Sequence, residues 1–188
     1  MVNRRHLDPV LFFPIEGMSW SDFRDDPALR GADDGEPGRG GWRYPRGGQH
    51  LHRGIDLRAP IGRPVIALEA GTAEYVAAAT STGWHPAGNR VRLRGLGGDA
   101  YLYLHLGTAH GRTDDAFPAG VRDGDVVEVA AGQVIGYVGH TGGSVATGSP
   151  IPARAAHLHF EFRPGGPDRE DVNPARLFER IADGLPVR

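Results

Sequence analysis

The chain has 188 residues, with 29 glycines, 15 prolines and no cysteine, which suits one domain of many turns and short strands rather than long helices. Its 21 basic and 23 acidic residues leave a formal net charge of -2, so there is no global positive field of the kind that would bind nucleic acid. The lack of cysteine excludes disulfides, thiolate metal sites and a cysteine nucleophile, and the 21 basic residues are all arginine.

Residues 1–14 place basic side chains before a short apolar run broken by Pro9 and Pro14. That run is too short and interrupted for a secretory signal, so no signal peptide is expected in this chain, and no later stretch predicts membrane insertion. Residues 11–15 read as an edge strand, where Pro14 is tolerated. Residues 19–49 are rich in Gly, Asp and Arg, show little periodicity and read as a long solvated loop. The alternative is a lid beside a cleft, with Trp20, Trp42 and Tyr44 as contact residues.

His52 and Asp56 lie four apart, which would join them on a helix, but Gly54 and Pro60 argue instead for a loop entering a short strand. Residues 64–68 and 72–76 flank Glu69-Ala70-Gly71 and predict a hairpin. Residues 89–94 alternate strictly, and residues 100–105 return as a second strand after a Gly-rich turn. Period two on that strand predicts that Tyr101, Tyr103 and His105 share one face, with Leu102 and Leu104 on the other. Residues 121–128 and 132–139 predict two further strands. A Gly/Ser/Pro-rich loop then leads into residues 156–163, where His157, His159 and Glu161 share one face and Leu158, Phe160 and Phe162 the other. Asn173-Pro174 predicts a helix start, Leu177, Phe178 and Ile181 its apolar face, and Gly184 its stop.

His52, Asp56 and one histidine of the His157/His159 pair make a set of three protein ligands, the pattern of a catalytic zinc site with an open fourth position. Two neighbouring strand histidines cannot easily both reach one metal and leave room for water. One ligand and one acid–base group are therefore expected, in either order.

Five segments in order resemble zinc metallopeptidases of the lysostaphin and LytM type, which cut peptides of bacterial peptidoglycan. They are His52-x-Gly-x-Asp56, Gly88-Asn89-x-Val91, Tyr103-Leu104-His105-Leu106, Gly132-Gln133-x-Ile135-Gly136 with Thr141-Gly142, and His157-Leu158-His159-Phe160-Glu161. The resemblance runs from about Leu11 to Phe178. It implies a mainly β fold, an antiparallel β-sheet groove (barrel-sandwich-like) with long loops and a short C-terminal helix. Residues 50–188 would form the metallopeptidase domain, and residues 1–49 an N-terminal strand and loop segment of the same structural domain.

The resemblance further implies zinc held by His52, Asp56 and His159. His157 would be the general base, and His105 would stabilise the oxyanion. Asn89 and Tyr103 are expected in the substrate groove, with packing as the alternative for Tyr103. Glu161 is expected to support the site without binding metal, and His50, His6, His85, His110 and His140 to be ordinary surface residues. The stretches 80–87 and 143–156 look enlarged relative to the family. Peptidoglycan peptides are the expected partner, with no nucleic acid, a monomeric state and action outside the cytoplasm. A non-enzymatic zinc- or wall-binding module of the same fold is the alternative function. A lipoyl- or biotinyl-type carrier, suggested by the Gly-turn strands, fails because there is no lysine to modify.

Overall fold

The computed structural model describes residues 10–47, 49–80, 83–143 and 148–184. Its strands are β1 (Ile55–Arg58), β2 (Pro64–Ile66), β3 (Gly71–Val76), β4 (Ala79–Thr80), β5 (Gly83–Trp84), β6 (Asn89–Gly95), β7 (Ala100–Leu106), β8 (Val126–Val129), β9 (Val134–Tyr137) and β10 (His157–Arg163). One helix, α1 (Pro174–Ala182), follows. Asn173 caps it by accepting from the Ala175 backbone N–H, Pro174 is its first residue, and Gly184 follows it with positive φ. The fold is mainly β, as the sequence predicts.

Six strands form one antiparallel sheet in the order β1-β10-β7-β6-β3-β8. Alternation sorts its side chains into two layers. Ile55, Leu57, Leu158, Phe160, Tyr101, Tyr103, Val91, Leu93 and Tyr75 are buried on the inner face. Asp56, His157 and His159 lie on the other face, as do Leu102, Arg92 and Arg94. Phe178 of α1 packs on Phe160 and Phe13, with centroids 5.2 and 4.9 Å apart, and so closes the inner layer.

Three expectations change. Strands β2 and β3 do not form a hairpin: β2 pairs with β9 in a separate two-stranded sheet, while β3 lies between β6 and β8. Residues 11–15 make only one bridge, Ile15 to Val65, rather than a strand. Residues 19–47 are not a solvated insertion. They form three short 3-10 turns, at Trp20–Asp22, Pro27–Leu29 and Ala32–Asp34, and bury Trp20, Phe23 and Leu29 in the common core. Trp20 therefore packs against Phe178 instead of lining a cleft. Sparse apolar residues without a period still bury when a neighbouring sheet supplies the surface. The enlarged stretches 80–87 and 143–156 lie partly outside the described residues, as does His6.

Candidate metal centre

The centre forms where β1 meets β10. Their register sets Asp56 directly opposite His159, and Arg58 opposite His157. Facing residues of antiparallel neighbours project to the same side, so the carboxylate and the imidazole meet above the sheet. Gly54 makes the close approach possible, because a Cβ there would strike the Phe160 carbonyl. His52 comes from the preceding loop. Its Nε2, Asp56 Oδ1 and His159 Nδ1 form a triangle with each separation 2.9 Å.

Backbone carbonyls and a carboxylate dictate how the four rings present their nitrogens, since such oxygens only accept hydrogen bonds. His52 Nδ1–H donates to Gly41 O at 2.8 Å, which leaves Nε2 to face the triangle with its lone pair. His159 Nε2 faces Glu161 Oε1 at 3.4 Å, which leaves Nδ1 for the centre. Arg163 holds the other Glu161 oxygen at 2.7 Å. His157 Nδ1–H donates to Ala155 O and His105 Nδ1–H to Thr141 O, each at 2.8 Å. His157 Nε2 lies 3.5 Å from Asp56 Oδ1, and the His105 ring packs edge-on to His157 with centroids 4.9 Å apart.

Two imidazole nitrogens and a carboxylate oxygen, converging with their other atoms occupied, make a donor set that suits a divalent cation once His159 gives up its proton. Arg46 Nη2 donates to Asp56 Oδ2 at 2.7 Å and leaves Oδ1 turned to the triangle. His52 and His159 are buried and Asp56 is half-buried, so the centre is open on one side.

Electrostatics follow from this crowding. Burial opposes the charge on Asp56, but the surrounding histidines outweigh it and hold the carboxyl well below its usual range. Burial also opposes a charged His159, yet Asp56 and Glu161 prevail and push it up to about 9. Glu161 is drawn down to about 2 against its burial, by His159 and Arg163. Burial, followed by the charges of His157 and His159, pushes His105 well below the ordinary histidine value.

His105 reaches this face by a route the strand period does not predict. Tyr103 pairs with Val91 and Leu106 with Asn89, so Leu104 and His105 together oppose the single residue Arg90. This bulge, with His105 at φ 66°, separates His105 from the face of Tyr101 and Tyr103. Tyr103 is fully buried, and its hydroxyl accepts from the Leu68 N–H at 3.0 Å. Asn89 is equally buried: Oδ1 accepts from Ala78 N, and Nδ2 donates to the Leu106, Ala109 and Arg112 carbonyls. Neither offers surface to a groove; both hold the fold together, which corrects the sequence-based placement.

The sequence profile of peptidase family M23 matches residues 50–174. The chain belongs to this family. An L-Ala–D-Glu endopeptidase of Bacillus subtilis is 32% identical to it over 116 residues, 61% of the chain and 30% of that protein. The DD-carboxypeptidase/endopeptidase Mpg of Neisseria meningitidis is 37% identical over 127 residues, 68% of the chain and 23% of that protein. This M23 chain thus spans less than a third of either curated relative. Among solved structures, the catalytic domain of the antimicrobial peptidase lysostaphin from Staphylococcus simulans is 29% identical. Its TM-score is 0.50, over 73% of the chain and 87% of that domain. A putative glycyl-glycine endopeptidase lytM from Ruminococcus gnavus shares the fold at 22% identity and TM-score 0.50, over 95% of the chain and 62% of that protein.

Several groups at the M23 centre carry no sequence signal. The Gly41, Ala155 and Thr141 carbonyls belong to the backbone and have no residue type to betray them. Arg46 lies before the matched segment, in a stretch without periodicity. Arg58, by contrast, was detectable, because two residues after Asp56 a strand returns to the same face. His50 and His85 are exposed, as expected, whereas His140 is half-buried and bonds to the Ile151 carbonyl. His110 accepts from the Gly142 N–H, next to the residue whose carbonyl holds His105.

Proposed function

We propose that the chain is a zinc-dependent endopeptidase acting outside the cytoplasm on peptide bonds of peptidoglycan stems or cross-bridges. The observation that carries this is the convergence of His52 Nε2, Asp56 Oδ1 and His159 Nδ1 beside two imidazoles that are not needed as ligands. Curated relatives named for L-Ala–D-Glu and DD cleavage support the substrate class, and the first name includes D-Glu, whose side chain carries a carboxylate. A zinc ion held by the three donors would supply Lewis acidity, bringing water towards ionisation near neutral pH and polarising the scissile carbonyl.

The residues around it divide the remaining work. With Nδ1–H committed to Ala155, His157 presents Nε2 to the centre, 3.5 Å from Asp56 Oδ1; there it takes the proton of the attacking water and returns it to the departing amine. His105, with Nδ1–H committed to Thr141, likewise has only an accepting nitrogen while neutral. It therefore orients water by accepting a hydrogen bond. The oxyanion role expected from the sequence would need a second proton on a ring whose burial opposes it.

Purified sacculi of diaminopimelate-linked and glycine-bridged types, digested with zinc, with chelator and with the His157→Ala variant, test this function. New amino termini read by mass spectrometry identify the bond. His159→Ala and Asp56→Ala are expected to lose the metal. His157→Ala is expected to keep it and lose turnover by ~10²–10⁴-fold. A protein that takes up no zinc at neutral pH would overturn the proposal.

A further inference from the structure

Next to the centre, β1 and the 3-10 turn before β10 border an open surface depression of about 460 Å³. Pro60, Ile61, Ala153 and Ala156 give it apolar lining, and among the described residues Arg58 and Arg154 are its charged lining residues. Both arginines are tied to the reaction centre. Arg58 stands opposite His157 in the β1–β10 register and projects from the same face. Arg154 sits in the turn Ala153–Ala155, whose last carbonyl receives the His157 Nδ1–H.

Both side chains are exposed, and no carboxylate among the described residues pairs with either. The other arginines around the centre are spoken for: Arg46 by Asp56, Arg53 by Asp171 and Arg163 by Glu161. Two guanidiniums on an open, partly apolar depression suit a ligand with a short aliphatic stem and a carboxylate end.

We propose that this depression is a specificity subsite for the free carboxylate of an acidic residue beside the scissile bond. The substrate class is then an anionic stem peptide rather than a neutral glycine bridge. The inference rests on the peptidase function proposed above and deepens it.

The test uses two cross-linked stem-peptide dimers, one with free D-Glu and diaminopimelate carboxylates and one with those groups converted to amides. kcat/KM is measured for the zinc-loaded wild type, R58Q, R154Q and the double variant, and binding of both peptides is measured by calorimetry on His157→Ala with and without the two substitutions. The wild type is expected to favour the acid form by about tenfold per arginine, mainly through KM. The double variant is expected to bring that ratio close to one, and R58E to lower it further than R58Q.

A wild type that treats both peptides alike overturns the subsite, as does a double variant that keeps its preference while retaining its thermal transition and zinc content. If the wild type cuts neither peptide, the peptidase function falls and the binding measurements decide the subsite. Tighter binding of the acid form that depends on the arginines supports it, and equal binding overturns it.

Discussion

Asn89 illustrates how a residue embedded in a family motif can serve the fold and not the substrate. Its one acceptor and two donors engage four backbone groups drawn from three separate segments. Asn89→Ala would leave those buried groups unpaired and is expected to cost about 2–4 kcal/mol, seen as a lower Tm. A groove residue would instead change KM and leave Tm in place. His159 carries a second prediction. Its raised pKa means that the metal-free protein holds a proton there below about pH 9, and a metal must displace it. Zinc binding at pH 7.5 is therefore expected to release about one proton, with release falling away as pH rises through 9. Calorimetry in buffers of different ionisation enthalpy measures this directly. Without metal the same proton stabilises the fold, fully below about pH 6.5 and no longer once pH passes 9.

Among the elements, the segment at residues 40–46 matters as much as the strands. Asp56 N donates to Gly40 O, Arg43 N to His52 O and His52 N to Tyr44 O, so this segment clamps the loop that carries His52. Gly41 must lie against the Arg30 backbone, since a Cβ there would collide with the Arg30 carbonyl. Gly41→Ala is expected to destabilise the protein by about 1–3 kcal/mol and to lower zinc content, because the displaced carbonyl no longer orients His52. Zinc content measured alongside urea unfolding separates this from a purely structural defect. The strand faces of β6 and β10 were legible from alternation alone. The turn at residues 69–71 predicts a β2/β3 hairpin that does not form, because turn residues show where a chain bends and not which sheet it enters afterwards. The bulge in β7 was hidden for a related reason: it depends on how many residues of β6 lie opposite.

In the whole molecule, the part recognised by its family profile is smaller than the part that folds together. Phe13, Trp20, Phe23 and Leu29 precede residue 50 and are buried in the same core as Phe160 and Phe178. Each such side chain contributes roughly 1.5–3 kcal/mol on burial, so their combined loss approaches the ~5–15 kcal/mol that stabilises a domain. A fragment of residues 50–188 is expected to show no cooperative thermal transition, whereas residues 10–188 should unfold as one unit. Calorimetry of the two distinguishes these outcomes.

The order of motifs, the strand periods and the helix signals are local properties, and the sequence by itself determined them. They were enough for the mainly β fold, for His52 and Asp56 as a pair, and for a histidine from residues 157 and 159 to join them. Residue spacing leaves open which histidine joins them; the resemblance points to His159, and the tertiary structure brings that one to His52 and Asp56. Both lie on the same face of β10, and only the antiparallel register against β1 sets His159 across from Asp56 and His157 across from Arg58. The ring nitrogens facing the centre were decided in the same way, by carbonyls of Gly41, Thr141 and Ala155 brought there by distant parts of the chain. Register and backbone hydrogen bonds depend on how segments meet, and no residue type records that meeting.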